Sequence, residues 1–422
     1  MSEVLDSVEQ NKDSFVMHPG KDFSRNRVLP FKRTMEAIIG MQGNSLNKEL
    51  IDVFPDISNR PTPSALVQQR KKIKPEAFKY AFDQFNAKTE TYDTAVYNGY
   101  HLFAIDGTAL NIPKNENSDT YFEQGFNQFQ LITLYDICSE TFKDCIIQPR
   151  PKMNEVVACK ELIKRNKFPE KSIIVGDRGF SSHNLYETVN RTDNLDYLIR
   201  VRNDYSNETK KLPMTELDIQ VALTIYTSKT KHNQLEVKAE RAKIIFGKSK
   251  FGKPKKYVYW DYEDGCPLSM RIVRFKIKDD TYETIVTSLD EAEFPISEIK
   301  KLYQKRWGIE TAFRNLKYAL GLSRFHSKHE DFVRQEIYAH LLMYNFSMRI
   351  AMHVGLTSSK GKYSYQINFT NAMYICKSYF RGKIIEKIEA EICACILPIR
   401  PGRYDKRKIA PKSFVPFLYR VA

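Results

Sequence analysis

The chain has 422 residues, more than a single hydrophobic core usually organises, so two to four domains are expected. An apolar fraction of 42% with 12% aromatic residues excludes an intrinsically disordered chain, and no apolar stretch approaches the roughly 18 residues of a membrane span. Lys and Arg number 66 against 51 Asp and Glu, and the net charge of +15 favours a polyanionic partner, nucleic acid ahead of a membrane surface.

Residues 1–95 read as helical, punctuated by Pro55, Pro61, Pro63 and Pro75, and residues 64–72 predict a capped helix ending in a basic cluster, a candidate DNA-binding module. From Tyr100 the pattern turns to strands: an apolar run at 101–105 ends at Asp106-Gly107, and 129–135 and 144–147 follow. An amphipathic helix is expected over 154–164, a buried strand over 172–176, a turn at Asp177, a helix over 182–189 and a strand over 196–200, together an α/β layer. Between 203 and 282 the alternation stops, and short β-type runs at 219–226, 236–246 and 257–262 suggest a β-rich insertion. Its stretch 229–256 holds ten Lys or Arg against two Glu, which suits contact with a DNA backbone. A strand at 283–288 closes the insertion, helices are expected from 295 to 353, and the tail 400–412 carries six basic residues and one acid. The opening residues lack the apolar core of a secretory signal, and seven scattered cysteines without a Cys-x-x-Cys pair suit a reduced, cytoplasmic protein whose thiols are inert core groups.

Three carboxylates are placed unlike the rest. Asp106 and Asp177 each follow an apolar strand and lie close to glycine, in Ala-Ile-Asp106-Gly107-Thr and Gly176-Asp177-Arg178-Gly179. Strand carboxyl ends are where open α/β sheets hold ligands, and glycine permits close approach. A third acid lies between residues 303 and 317: at about 100° per residue on a helix, Tyr303, Arg306, Glu310 and Lys317 share one stripe. Ile309, Ala312, Phe313, Leu316 and Leu320 fall on another face and can pack against the sheet. An acid flanked by two cations and a phenol suits a phosphodiester, with the acid on a metal and the cations on neighbouring phosphates.

The Tyr-x2-Arg-x3-Glu-x6-Lys spacing, with Asp-Gly-Thr after an early strand and Gly-Asp-Arg-Gly-Phe after a later one, resembles the DDE transposases of bacterial insertion sequences, the insertion-sequence-four family. The resemblance covers roughly residues 60–350, with Phe180 where a tyrosine is common. It implies a ribonuclease H-like core interrupted by a β-rich insertion between the second Asp and the Glu. The longer of the two gaps between the acids falls there. On this chain the domains would be a helical N-terminal DNA-binding region (1–95), the core in two parts (96–202 and 283–355), the insertion (203–282) and a helical C-terminal region with a basic tail (356–422). The resemblance further implies two Mg²⁺ or Mn²⁺ held by Asp106, Asp177 and Glu310, and phosphates gripped by Tyr303, Arg306, Lys317 and Arg178. Cut-and-paste transposition at terminal inverted repeats, a target DNA and a homodimer on DNA follow from it, with the C-terminal helices as candidate subunit contacts. Trp260 and Tyr282 are candidate platforms for a flipped base, and Trp307 is expected to support its helix.

Other readings fare worse. A phosphatase of the haloacid dehalogenase type needs a nucleophilic aspartate where Ala104 stands. A phosphate loop at 247–253 has Pro254 in place of its Ser or Thr. His326 and His329 lack further zinc ligands and are expected at the surface or on the DNA side. A non-cleaving DNA-binding protein derived from a transposase, or a nuclease of the same fold that never joins strands, remains the alternative.

Overall fold

The chain starts in helices: α1 (Ser2–Gln10), α2 (Lys12–Phe15), α3 (Phe31–Gly40), α4 (Leu46–Val53), α5 (Pro63–Arg70) and α6 (Pro75–Thr89). Both α5 and α6 begin at proline, where the missing N–H costs nothing, and the Thr62 hydroxyl caps α5 by accepting from Ala65 N at 3.1 Å. The computed structural model describes residues 1–399 apart from 26–27, 91–94, 123–125, 204–206, 246–258, 279–280, 355–363 and 384–385. The basic tail 400–412, the glycine-rich 247–253 motif and the end of the basic stretch 229–256 therefore lie outside the described residues.

The sheet is built from β1 (His101–Ile112), β2 (Tyr121–Phe122), β3 (Phe126–Asp136) and β4 (Thr141–Pro149), then α7 (Glu155–Arg165), β5 (Ser172–Gly176), α8 (His183–Asn190) and β6 (Leu195–Val201). Next come α9 (Asn207–Lys210), β7 (Leu217–Tyr226), α10 (Lys231–Lys238), β8 (Ala242–Ile244), β9 (Cys266–Lys278) and β10 (Thr281–Thr287). The strand order is β2-β3-β1-β5-β6-β10-β9-β7-β8, with β4 also paired to β3. β3 lies antiparallel to β1 and β4, β5 is parallel to β1 and β6, and antiparallel pairing resumes from β6 through β10 and β9 to β7. The chain is thus mixed α/β around one large sheet, and the residues expected as an insertion extend that sheet rather than standing apart from it.

Alternation along β1 sorts its side chains between two layers. Phe103 and Ile105 join Ile132, Leu134 and the inner faces of α7 and α8 in one core. Ala104, Leu110 and Ile112 join Phe129, Leu131 and Tyr135 in another, shared with α1, α3 and α6. That second core also takes α12 (Trp307–Arg314) and α13 (Glu330–His353), the two helices that follow α11 (Ile296–Lys305). The chain then passes through β11 (Tyr365–Ile367), α14 (Phe369–Phe380), α15 (Ile388–Ala394) and β12 (Ile396–Pro398). No described helix is long and apolar enough to cross a membrane.

Several expectations change. Arg70, read as part of a basic surface cluster, is 2% exposed, with Nη1 2.9 Å from Glu336 Oε1 and Nε donating to Gln335 Oε1 at 2.7 Å, so it ties α5 to α13. Residues 236–246 are not a strand throughout: Thr230 caps α10 by accepting from Asn233 N, and only 242–244 pair as β8. Between 257 and 262 the described residues give an isolated bridge at Trp260. The long β9 escapes the alternation signal because it buries two arginines. Arg271 pairs with Asp218 at 2.5 Å, and Arg274 donates to Thr284 Oγ1 at 2.8 Å and to the carbonyls of Thr209, Leu212 and Pro213. Four of the seven free cysteines are buried as expected, whereas Cys393 is exposed.

Candidate active site

Strand register brings the first two acids together. β1 and β5 are parallel with Ile105 opposite Gly176, so Asp106 and Asp177, the next residue of each, stand side by side where β5 stops. Asp106 is not the end of its strand, which runs on to Ile112 with Asp106 opposite Thr133 of β3. Asp106 shares the parity of Ala104 and so faces the layer that holds α12. Asp177 opens a short 3-10 turn, Arg178–Phe180, and its carboxylate accepts Gly179 N at 2.8 Å. Phe180 is buried against α7 and α8.

The flanking glycines stand in crowded space. A β-carbon at Gly107 would lie 2.6 Å from Gln130 Nε2 and 3.2 Å from Glu155 Oε1, and one at Gly179 would lie 3.0 Å from both Asp177 Oδ1 and Glu155 Oε2. A fourth carboxylate, Glu155 at the start of α7, therefore lies close to both Gly107 and Gly179. It accepts Gln130 Nε2 at 3.1 Å, and burial, then the nearby Asp177, raises its pKa. In sequence Glu155 passes for an ordinary first-turn helix acid behind the Asn154 cap. The available signal was its place at the N-terminal end of the helix that leads into β5, the strand before Asp177.

The third acid arrives on a broken helix. Residues 303–317 do not form one regular stripe: α11 ends at Lys305, Arg306 lies at the junction, and α12 gives way to a π-helical turn over Asn315–Ala319. The apolar face holds as expected, with Ile309, Ala312, Phe313, Leu316 and Leu320 all in the core. Arg306 is 5% exposed; its Nη2 donates to Glu310 Oε1 at 2.8 Å and its Nη1 lies 3.8 Å from Asp106 Oδ2. A guanidinium thus links Glu310 to Asp106. Burial lifts the Asp106 pKa to about 7; Asp177 and Glu310 push the same way, while the Gly107 N–H and Arg306 oppose. Among the described residues, no group of three or more His, Cys, Asp or Glu side chains stands close enough to grip one ion.

The other named residues divide. Tyr303 is 3% exposed and packs with Leu302, Ile299 and Phe294, its hydroxyl inaccessible and its ring 5.6 Å from the Arg306 guanidinium, so it does not present a phenol beside Glu310. Lys317 Nζ donates to Ala109 O at 3.0 Å; burial lowers its pKa, and it pairs with no carboxylate among the described residues. Arg178 is exposed beside Asp177. Trp260 is buried, with Nε1 donating to Glu263 O at 3.1 Å, and so offers no open stacking face, whereas Tyr282 is partly exposed on β10. Trp307, expected to support its helix, is 56% exposed under Arg306, 5.2 Å from the ring centroid. The His326 side chain is not at the surface: it lies buried 3.1 Å from Glu336 and 3.8 Å from Glu49, while His329 is exposed.

Comparison with known proteins agrees with the sequence resemblance. The family model described as the transposase DDE domain matches residues 97–346, more than half of the chain. The transposase InsG for insertion sequence element IS4 of Escherichia coli (strain K12) is 22% identical over 373 residues, covering 82% of this chain and 75% of the relative. Among solved structures, a cryo-EM structure of the piggyBac transposase synaptic complex with hairpin DNA aligns with a TM-score of 0.43 and 11% identity, covering 95% of this chain and 83% of the other. The matched span runs from just before β1 into α13 and takes in Asp106, Asp177 and Glu310, and on that match the chain belongs to the transposase DDE domain family and is a DDE transposase.

Proposed function

We propose that this transposase cuts and joins DNA strands at a site made by Asp106, Asp177 and Glu310, moving an insertion sequence by cut-and-paste chemistry at its terminal inverted repeats. The observation that carries the proposal is the parallel register of β1 and β5, which sets two aspartates side by side under a helix whose glutamate is linked to one of them by Arg306. A fold of the ribonuclease H type is supported by the strand run β4-β3-β1-β5-β6, antiparallel in its first half and parallel in its second. Domain limits near 95, 202, 282 and 355 remain part of this reading.

The donor chemistry suits divalent metal. All three side chains offer hard oxygen donors, and Asp177 and Glu310 add to the burial that raises the Asp106 pKa. Two Mg²⁺ or Mn²⁺ bound by Asp106, Asp177 and Glu310 would supply Lewis acidity to the attacking and leaving oxygens of an in-line displacement. The chain's own residues do the rest. The β1–β5 register fixes Asp106 against Asp177, α12 carries Glu310, and the half-buried Glu155 adds negative charge behind Asp177. Arg306 neutralises acids in the resting site and is placed to turn to a phosphate oxygen once they have another cation. Lys317 and exposed Arg178 are further candidates for phosphates, whereas buried Tyr303 acts by packing behind Arg306.

Water attacks first in this scheme, and the freed 3′-hydroxyl attacks second, on target DNA or the opposite strand. Two ends require two subunits, so a homodimer on DNA is proposed, acting in the bacterial cytoplasm at the nucleoid. The test is incubation of terminal-repeat duplex with the protein and Mg²⁺. Nicking and strand transfer are expected, and Asp106→Asn, Asp177→Asn and Glu310→Gln should each abolish both. Cleavage that survives any of the three substitutions would overturn the assignment, and binding without cleavage by the unmodified protein would favour a non-cleaving descendant.

A further inference from the structure

Beyond the acidic site, an open cavity of about 330 Å³ lies where the π-helical turn after α12 meets the loop 42–44 and α14. Its size falls at the lower end of small-ligand sites, roughly 300–1,000 Å³, and excludes a duplex. Lys317, Arg324 and Lys377 line it, and no carboxylate does. Lys317 and Arg324 pair with no acid among the described residues, and Lys377 is buried with Nζ donating to Met41 O at 2.6 Å. Two tyrosines on the same lining leave their rings open, Tyr318 at 75% and Tyr374 at 63% exposed.

The walls are built in advance. Glu49, 1% exposed, accepts the N–H groups of Gln42 and Asn44 at 2.9 Å each and pairs with Arg381 at 2.7 Å, which pins the loop. Opposite, Gly321 adopts a left-handed φ of +85°, and a β-carbon there would come within 2.8 Å of Gln42 O, so the two walls meet without room for a side chain. A π-turn is uncommon and concentrates at functional sites. The cavity is also close to the chemistry. Lys317 reaches Ala109 O, three residues beyond Asp106 on β1, about 10 Å along the strand.

Cations without acids, open aromatic faces and a neutral amide wall are the elements that hold single-stranded nucleic acid. We propose that this cavity takes one unpaired nucleotide of the DNA strand leaving the acidic site, its phosphate on Lys317 and Arg324 and its base against Tyr318 and Tyr374. The proposal rests on the transposase reading above for its ligand, but it concerns binding, not cleavage.

The experiment compares a short fluorescent duplex with blunt ends to the same duplex carrying a short unpaired extension, by anisotropy in EDTA. The intact protein should bind the extended form on the order of tenfold more tightly. Tyr374→Ala and Arg324→Ala should bring the two affinities together with blunt-end binding unchanged, and Tyr374→Phe should keep the preference because the ring remains. Equal binding of both duplexes by the intact protein, or a preference that survives both alanine variants, would overturn the proposal. Asp106→Asn separates the two readings, since it should lose nicking in Mg²⁺ and keep the preference. An intact protein that never nicks but still shows the tyrosine-dependent preference defeats the catalytic reading alone.

Discussion

Replacing Asp106 by asparagine should make the metal-free protein more stable while silencing it. Asp106 is largely buried, its side chain 19% exposed, and its carboxyl is pushed from an ordinary 3.8 up to about 7. A carboxyl whose folded pKa is raised costs stability once the unfolded chain can ionise and the native one cannot. Below about pH 4 both states are protonated and nothing is lost; the cost then grows with pH and levels off above about 7. A displacement of about three pKa units is worth about 4 kcal/mol at pH 8, and about 1.5 kcal/mol at pH 5. Asparagine keeps the oxygen that accepts Gly107 N at 2.7 Å and never ionises. Thermal melts in EDTA should therefore place Asp106→Asn above the parent by on the order of 5 °C at pH 8, with a smaller gap at pH 5. Millimolar Mg²⁺ should raise the parent and leave the variant nearly where it was. A variant that melts below its parent at pH 8, or a gap that ignores pH, would refute the view that burying Asp106 beside two other acids makes this site unstable without a cation.

Gly179→Ala puts a β-carbon 3.0 Å from both Asp177 Oδ1 and Glu155 Oε2, so strand cleavage should fall on the order of a hundredfold with little change in melting temperature; full activity in a gel assay would show that the turn tolerates the shift. Arg70→Met leaves the fully buried Glu336 short of its cation and should cost about 3–5 kcal/mol in urea unfolding, an expectation defeated by a midpoint equal to the parent's. Burial works against Glu49 ionising, yet His326, the Asn44 N–H and Arg381 hold its pKa down to about 2. Its stabilisation is present above about pH 4.5 and lost as pH falls through about 2, so Glu49→Gln should cost about 3 kcal/mol near pH 6 and little at pH 2; a pH-independent deficit in acid titrations would contradict this.

The candidate site was readable in sequence to the extent that its parts are local. Asp106 and Asp177 announce themselves because an apolar strand followed by aspartate and glycine is a short, contiguous pattern, and the register of β1 and β5 then does the rest. The apolar face of α12 was equally legible, since period alone places Ile309, Ala312, Phe313 and Leu316 inward. The phosphate-gripping stripe was less so. It assumed one regular helix, but the chain breaks at Arg306 and widens after Arg314, which sends Tyr303 into the core and Lys317 toward β1. The strand β9 was missed because Arg271 and Arg274 interrupt its apolar alternation, and their partners Asp218 and Thr284 lie on neighbouring strands.

Composition, punctuation and periodicity were enough for most of the element types, the basic character and the choice of three candidate acids, because each depends on residues within a turn or two of one another. Packing chose which charges are buried and which remain for DNA. Arg70, Arg271, Arg274 and His326 look like surface groups until a partner distant in the chain removes them from water, and Glu155 looks like a helix cap until folding sets it against Asp177. A side chain's burial and its charge partners come from segments that meet only after folding, and no local pattern contains that information.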